Sequence, residues 1–273
     1  MTPRERPPRV WVRSVFGRSF HEQRRALLGW SVGAATTVLL ELALYPTVRD
    51  SDMSGLLDSY PETVKKLFGL TDLSTGTGYV RAELVSLVLP MLLVIPAILW
   101  GSDAIAGEED RRTIDLLLAN PVSRRRIVLD KVLCLLGGVV GVGAAVLAAL
   151  LLGNALFSVG VAADRMLSAV VMTAALGIVF GLVALAAGAA TGRRGFARGV
   201  AATLAVGAYL LSSLAPLAGW LEPWQGLSPW YHALGIDPLR TGLPAVHLAV
   251  LALLAGAAVA IGAITFDRRD IAV

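Results

Sequence analysis

The sequence has a single cysteine and no nucleotide-binding loop, and each absence excludes a kind of chemistry. Cys134 lies inside an apolar run, so neither a disulfide within the chain nor a cysteine-based metal site can form. The GxxxxGK[ST] loop that binds nucleotide phosphates is missing, and the dipeptide Gly-Lys occurs nowhere. The sequence therefore offers no phosphate loop with which to hydrolyse ATP.

Motifs of hydrolytic enzymes are also missing. There is no HExxH pair, and the three histidines, His21, His232 and His247, are far apart in the sequence. A dyad between His232 and Ser212 or Ser228 is conceivable, but no G-x-S-x-G elbow accompanies it. We therefore expect the histidines to be surface or packing residues and the protein not to be an enzyme.

Charge is scarce, because only 16% of the 273 residues are charged whereas 56% are hydrophobic. A soluble domain is about a quarter charged, and a soluble core of this size cannot bury so many apolar residues. A bilayer-spanning helix needs roughly 20 mostly apolar residues. The sequence therefore predicts a single all-α transmembrane domain over residues 1–273, with six spans. They are residues 26–46, 84–105, 132–157, 167–190, 200–221 and 244–266.

The basic residues are distributed unevenly between the two sides of these spans. Of 24 Lys and Arg residues, 18 fall on one side and six on the other. Since basic residues concentrate in cytoplasmic segments, both termini are predicted to be cytoplasmic. The high pI thus reflects topology, and no basic stripe with interleaved aromatics suggests a nucleic-acid partner. The dominance of Arg over Lys suggests a GC-rich bacterial genome and so a bacterial inner membrane.

Segments outside the spans suggest further helices. Residues 9–25 place aromatic and apolar side chains on one helical face, which predicts an amphipathic helix in the membrane interface; a solvated basic tail is the alternative. Residues 47–83 suggest two short outer helices and a flexible connector at 74–78. The pairs Gly137/Gly141 and Gly177/Gly181 are small-xxx-small patterns that favour close helix packing.

Polar or helix-distorting residues inside the spans mark a candidate substrate path. Glu41 is either a site for a cation, a proton or part of a cationic substrate, or a carboxylate near the interface paired with Arg49 or Arg81. Pro90 and Pro96 should kink the second span. Because polar residues in the spans are few, the sequence favours an apolar or amphiphilic cargo.

The charged inner segment, residues 107–131, has an apolar centre. Acidic residues before residues 113–119 favour a helix there, with Ile114, Leu117 and Leu118 on one face. Pro121 ends that helix, and Ser123 is placed to cap the next one. An exposed apolar face is stable only against membrane or protein. The segment is therefore either an interfacial helix or a docking helix for a partner.

The stretch "EEDRRTIDLLLANPVSRRRIVLDKVL" resembles the loop between the second and third spans of ABC-2 type permeases. The matching residues are Glu109, Thr113, Leu117, Leu118, Ala119, Pro121, Val122, Ser123, Arg124 and Lys131. Arg112 departs from the pattern, which commonly has Gly there. The closing "FDRRDIAV" also resembles the family, through Phe266, Arg269 and Asp270.

This resemblance implies the membrane subunit of an ATP-binding-cassette exporter. It implies pairing with a second copy or a homologue, and with separate ATPase subunits that hold ATP and Mg²⁺, so this chain itself needs no cofactor. The segment between spans two and three would be the coupling helix that contacts the ATPase. The contact residues it implies are Glu108, Glu109, Asp110, Thr113, Ile114, Leu117, Leu118, Pro121, Arg124 and Arg125.

Two other functions remain open at this point. A lipid-modifying enzyme could hold a divalent metal with Glu108, Glu109, Asp110 and Asp115, although the Asp-x2-Asp-Gly-x2-Ala spacing of headgroup transferases is missing. An ion-coupled secondary transporter is the other alternative, and gradient-driven flux without an ATPase would establish it.

Overall fold

The computed structural model describes residues 15–51, 75–111 and 123–269, with side chains from residue 24 onward. Every regular element in these ranges is helical. Six helices there are long and apolar enough to cross a membrane, which confirms the predicted number of spans. They are α1 Val15–Asp50, α2 Gly76–Ala104, α4 Arg124–Phe157, α5 Ala163–Thr191, α6 Arg194–Leu214 and α8 Ala245–Arg268. The short helices α3 Ala106–Asp110 and α7 Pro238–Thr241 lie between them.

The helices extend beyond the apolar runs that predicted them. Helix α4 begins at Arg124 because Ser123 caps it, its hydroxyl accepting a hydrogen bond from the Arg126 N–H at 3.3 Å. The predicted Ser123 cap is thus confirmed. Polar and charged residues can occupy these outer turns because the last turns of a spanning helix lie at the membrane interface.

The start of α2 also differs from its prediction. The helix begins at Gly76, where Thr75 caps it, so the predicted connector at 74–78 is wrong for its helical part. Its next segment, Val80–Val88, is a π-helix, a conformation often found at functional sites.

Helix α1 runs without a break from Val15 to Asp50, so residues 15–25 continue the helix of the first span. Residues 9–14 and 52–74, which hold the remainder of these predicted helices, lie outside the described residues.

Helix α5 lies at the centre of the bundle and packs against α2, α4, α6 and α8. Its glycines allow close approach to α2, since a Cβ on Gly181 would lie 2.9 Å from the Ala97 carbonyl oxygen. On the α2 side, a Cβ on Gly101 would overlap the Gly181 carbonyl group. The Gly177/Gly181 pattern therefore forms a helix contact within this chain. In the other pattern, Gly141 contacts Leu27 of α1.

Side-chain contacts fix the direction of the helices. Leu27 and Leu42 of α1 approach Gly141 and Gly153 of α4 in the same order, so these two helices are parallel. The starts of α1, α4 and α6 and the ends of α2, α5 and α8 consequently share one end of the bundle. This end carries most of the arginines of the described residues, and we call it the basic end. The first and last described residues therefore lie at the same end of the bundle.

The Gly101 contact yields a stability prediction. We expect Gly101→Ala to lower the free energy of unfolding by about 1–3 kcal/mol, since a methyl group would overlap backbone that no side-chain rotation can move. Gly256→Ala in α8 is the matched control, because a Cβ there meets no atom within 4 Å. Thermal unfolding in mild detergent measures both variants. Equal melting temperatures for the two would contradict the close approach of α2 and α5.

Candidate functional site

The two flanks of the predicted coupling segment lie at the basic end. Glu108, Glu109 and Asp110 are on or at the end of α3, while Arg124 and Arg125 open α4. Thr113, Ile114, Leu117, Leu118 and Pro121 lie outside the described residues, as does Asp115. The structure therefore describes how the segment is anchored on either side.

A buried ion pair joins these flanks. The ammonium group of Lys131 donates to Oε1 of Glu108 at 2.9 Å, and the two side chains are only 6% and 10% exposed. Arg111 also approaches Glu108, at 3.8 Å. Removing one partner of such a pair typically costs about 3–5 kcal/mol, because the other charge stays buried. This pair therefore holds α3 against α4.

A second contact ties α3 to the end of α8. Arg269 donates through Nη2 to Oε2 of Glu109 and through Nη1 to the Ala189 carbonyl at 2.9 Å. The other carboxylate oxygen of Glu109, Oε1, is buried and has no hydrogen-bond partner among the described residues. Gly192, in the left-handed conformation at φ +67°, leaves room for this pair, since a Cβ would overlap both side chains.

The start of α4 also binds the end of α8. Arg124 donates to the carbonyl oxygens of Phe266 at 3.0 Å and Arg269 at 2.7 Å, and its guanidinium lies over the Phe266 ring. Arg125 pairs with Asp267 at 2.7 Å. Phe266 and Arg269 are the residues that the closing sequence motif singled out, and Asp270 lies outside the described residues.

A further contact joins α2 to α6, and the sequence pattern did not predict it. Asp103 of α2 pairs with Arg198 at 3.0 Å and Arg194 at 3.3 Å, and Arg194 also reaches Asp110 at 3.4 Å. The only sequence signal was an acid at the end of one apolar run and arginines at the start of another. Together these ion pairs form what we call the basic-end network. Its members are Asp103, Glu108, Glu109, Asp110, Arg111, Arg124, Arg125, Lys131, Arg194, Arg198, Asp267 and Arg269.

Two adjoining cavities lie between α2 and α6. The apolar cavity has a volume of about 290 Å³, and its walls include Pro90, Ile98 and Val206. The polar pocket has a volume of about 200 Å³ and lies nearer the end opposite the basic end. Polar side chains in its wall are Arg81, Ser86, Ser212, Ser213, Gln225 and Asp237.

Tyr209 and Trp230 line both cavities and form the wall that the cavities share. Their rings meet edge to face with centroids 5.1 Å apart, and the Trp230 indole N–H donates to the Ala205 carbonyl at 3.0 Å. In the polar pocket Arg81 pairs with Asp237 at 2.7 Å. The shared wall is therefore held in place by hydrogen bonding and ring contact.

The three residues predicted to line the substrate path lie in different environments. Pro90 lines the apolar cavity, whereas Pro96 is buried within α2 and does not line it. Glu41 is half-buried on α1, and its backbone carbonyl accepts a hydrogen bond from the Tyr79 hydroxyl at 2.7 Å. The pairing of Glu41 with Arg49 or Arg81 does not form, because Arg49 binds Asp50 and Arg81 binds Asp237.

The residues considered for enzymatic chemistry have other partners. His232 contacts His247 through Nδ1 at 2.9 Å and the Gly226 carbonyl through Nε2 at 2.8 Å, while Ser228 donates to Ala208. A Ser228–His232 dyad is therefore not formed. Within residues 24–51, 75–111 and 123–269, no group of three or more His, Cys, Asp or Glu is arranged to hold a metal ion.

Comparisons with known proteins agree with this architecture. Residues 14–271 match the family model described as ABC-2 family transporter protein. A search of curated proteins found no significant match.

The basic-end network predicts unequal coupling energies for its ion pairs. In a double-mutant cycle with Glu109→Gln and Arg269→Gln, we expect a coupling energy of more than about 1 kcal/mol, because both side chains are largely buried. The control cycle combines Arg125→Gln with Asp267→Asn, where the arginine is 76% exposed. There we expect less than about 1 kcal/mol. Free energies of unfolding in bicelles give both values, and similar coupling in the two cycles would contradict the assignment.

Proposed function

This chain belongs to the ABC-2 family of transporter proteins, and we propose that it moves an apolar or amphiphilic molecule, such as a drug or a lipid, outward across the bacterial inner membrane. As an ABC-2 protein it is a membrane permease, and the family implies partnership with an ABC ATPase subunit. In this proposal ATP and Mg²⁺ bind to that separate subunit, which supplies the energy.

The proposed cargo is inferred from the two cavities between α2 and α6. The apolar cavity has no polar lining surface, and the adjoining pocket offers hydroxyl groups, an amide and the Arg81–Asp237 pair. Together they fall within the roughly 300–1,000 Å³ of known ligand sites. An amphiphile fits this arrangement with its apolar part in one cavity and its polar head in the other.

The position of the polar pocket supports the proposed outward direction of transport. The pocket is near the end opposite the basic end, and the positive-inside rule predicts that the basic end is cytoplasmic. The head of a bound amphiphile would therefore already face the outer leaflet. Release from this position is outward, which supports export.

The basic-end network supplies a mechanical connection for this transport. In the proposal, closure of the ATPase pushes on the segment between Arg111 and Ser123. The flanks of that segment are tied through Glu109 and Arg124 to α8, and the Asp103–Arg198 pair joins α2 to α6 at the same end. A displacement there changes the separation of α2 and α6 and so the shape of the cavities between them.

A second permease is proposed to pack against α1 and α6. Both helices are mostly unburied in the single chain and expose apolar side chains such as Leu40 and Leu210. Such surfaces are equally stable against lipid tails, so their exposure does not by itself require a partner. The proposed pairing is supported by family membership, since ABC-2 permeases function as pairs. The α2–α6 cavities would then lie beside the interface between the two copies.

The cavity assignment predicts that Val206→Trp impairs transport. Its indole would fill the apolar cavity, and we expect the apparent affinity for an amphiphilic dye to fall about tenfold, equivalent to roughly 1.4 kcal/mol. Leu204→Trp is the matched control, because Leu204 lies on the same helix and is about as exposed as Val206 but does not line the cavity. ATP-dependent dye uptake into inside-out vesicles that contain the ATPase measures both affinity and direction. Equal effects of the two variants would place the cargo elsewhere.

The coupling assignment predicts that Leu117→Asp uncouples the transporter. A charge on the predicted apolar docking face should leave ATP hydrolysis largely intact while transport falls, because the ATPase no longer moves the segment. Leu116→Asp is the control, since residue 116 falls on the opposite face of the predicted helix. The ratio of ATP hydrolysed to dye transported gives the result, and circular dichroism checks the six spans. Normal transport by Leu117→Asp, or dye transport without any ATPase, would contradict the proposal.

A further inference from the structure

A third cavity, of about 490 Å³, lies at the basic end between α1, α2, α4 and α6. Its charged lining consists of Arg111, Lys131, Arg198, Asp103 and Glu108. It shares no lining residue with the α2–α6 cavities, so it is a separate site. Its volume is within the range of small-molecule sites.

The charges around this cavity do not cancel. Three cations and two carboxylates line it, which leaves one positive charge in excess. A charge of this kind, at the edge of a low-dielectric helix bundle, is strongly stabilised by a bound anion. The lining is therefore complementary to a ligand with a single negative charge.

The cations leave hydrogen-bond donors for such a ligand. Arg111 lies 3.8 Å from Glu108, which is longer than a hydrogen bond, so this contact does not occupy its guanidinium donors. Arg198 uses Nε toward Ser102 and Nη2 toward Asp103, which leaves Nη1. Guanidinium groups match the oxygens of a phosphate in geometry and charge. The buried Glu108–Lys131 pair also lines the cavity.

The rest of the wall is suited to lipid. Trp30 and Trp100 lie in the lining with Leu99, and Trp is enriched where membrane meets water. Helix α1, which contributes Trp30, is mostly unburied and so open to the bilayer. Basic pockets between spanning helices are known to bind anionic lipid headgroups.

From these features we propose that the cavity binds the phosphodiester headgroup of an anionic phospholipid, of the phosphatidylglycerol class, from the leaflet at the basic end. Its phosphate lies between Arg111 and Arg198, and its glycerol rests against the tryptophans. The lipid then bridges the end of α3 to the start of α6. It thereby stabilises the basic-end network beside the coupling segment, whatever the cargo is.

The test is lipid binding by the purified, delipidated chain in a neutral detergent. Native mass spectrometry and thermal unfolding are measured with added dioleoylphosphatidylglycerol, with dioleoylphosphatidylcholine, and with inorganic phosphate. We expect phosphatidylglycerol to bind and to raise the melting temperature, and the other two to do neither. Equal stabilisation by phosphatidylcholine, or full stabilisation by inorganic phosphate alone, would overturn the assignment to an anionic lipid.

Variants locate the site. Arg198→Gln and Arg111→Gln should each weaken phosphatidylglycerol binding about tenfold, the effect of losing a charge-assisted hydrogen bond. Arg194→Gln is the matched control, because Arg194 also pairs with Asp103 but does not line the cavity. Arg111 is half exposed, so its variant should fold even if Arg198→Gln does not. Unchanged binding by Arg111→Gln, or an equal loss in Arg194→Gln, would refute the site. Neither readout depends on an ATPase or on transport.

Discussion

The buried pair of Glu108 and Lys131 is the interaction on which the basic end depends. In a helix bundle surrounded by lipid, a charge away from water is stable only beside an opposite charge and with its hydrogen bonds satisfied. The pair meets this condition at 2.9 Å, and it joins the two flanks of the segment between Arg111 and Ser123. Because the flanks cannot separate without exposing a buried charge, a force on that segment moves α3 and α4 together.

The remaining contacts of the basic-end network connect α3 and α4 to the other helices. Arg269 connects Glu109 with the end of α5, Arg124 connects α4 with α8, and Asp103 connects α2 with α6. The α2–α6 cavities extend from Ile98 and Ala202, near the Asp103–Arg198 pair, toward the opposite end of the bundle. In the proposed mechanism, a push at one end of the bundle changes a binding space farther along the same helices. The close glycine contacts between α2 and α5 make that transmission rigid, because backbones in contact cannot slide without overlap.

Local patterns predicted much of the fold and only part of the candidate site. Hydropathy was sufficient for six spans, and the Ser123 cap follows from residues adjacent in sequence. The start of α2 was misplaced because Arg81 looks like a loop residue until its partner Asp237, 156 positions later, is known. Asp103 and Arg198 were missed for the same reason, since neither residue reveals its partner. Phe266 and Arg269 were found through a resemblance, which carries information about tertiary contacts that periodicity lacks.

The distribution of buried charge also favours a mechanical energy source over an ion gradient. A proton relay places titratable groups along the path that the ion follows across the membrane. Among the described residues, the most deeply buried charged residues, Glu108, Asp130 and Lys131, lie together at the basic end, and Asp237 at the opposite end is paired with Arg81. Glu108 binds Lys131, and Asp130 binds Arg126. Fixed pairs gathered at one end of a bundle hold helices in register, as a structure driven by an attached ATPase requires. Since apolar and aromatic side chains of α2, α6 and Trp230 line the apolar cavity, the proposed cargo would meet a space shaped by helix positions, and moving the helices is sufficient to change that space.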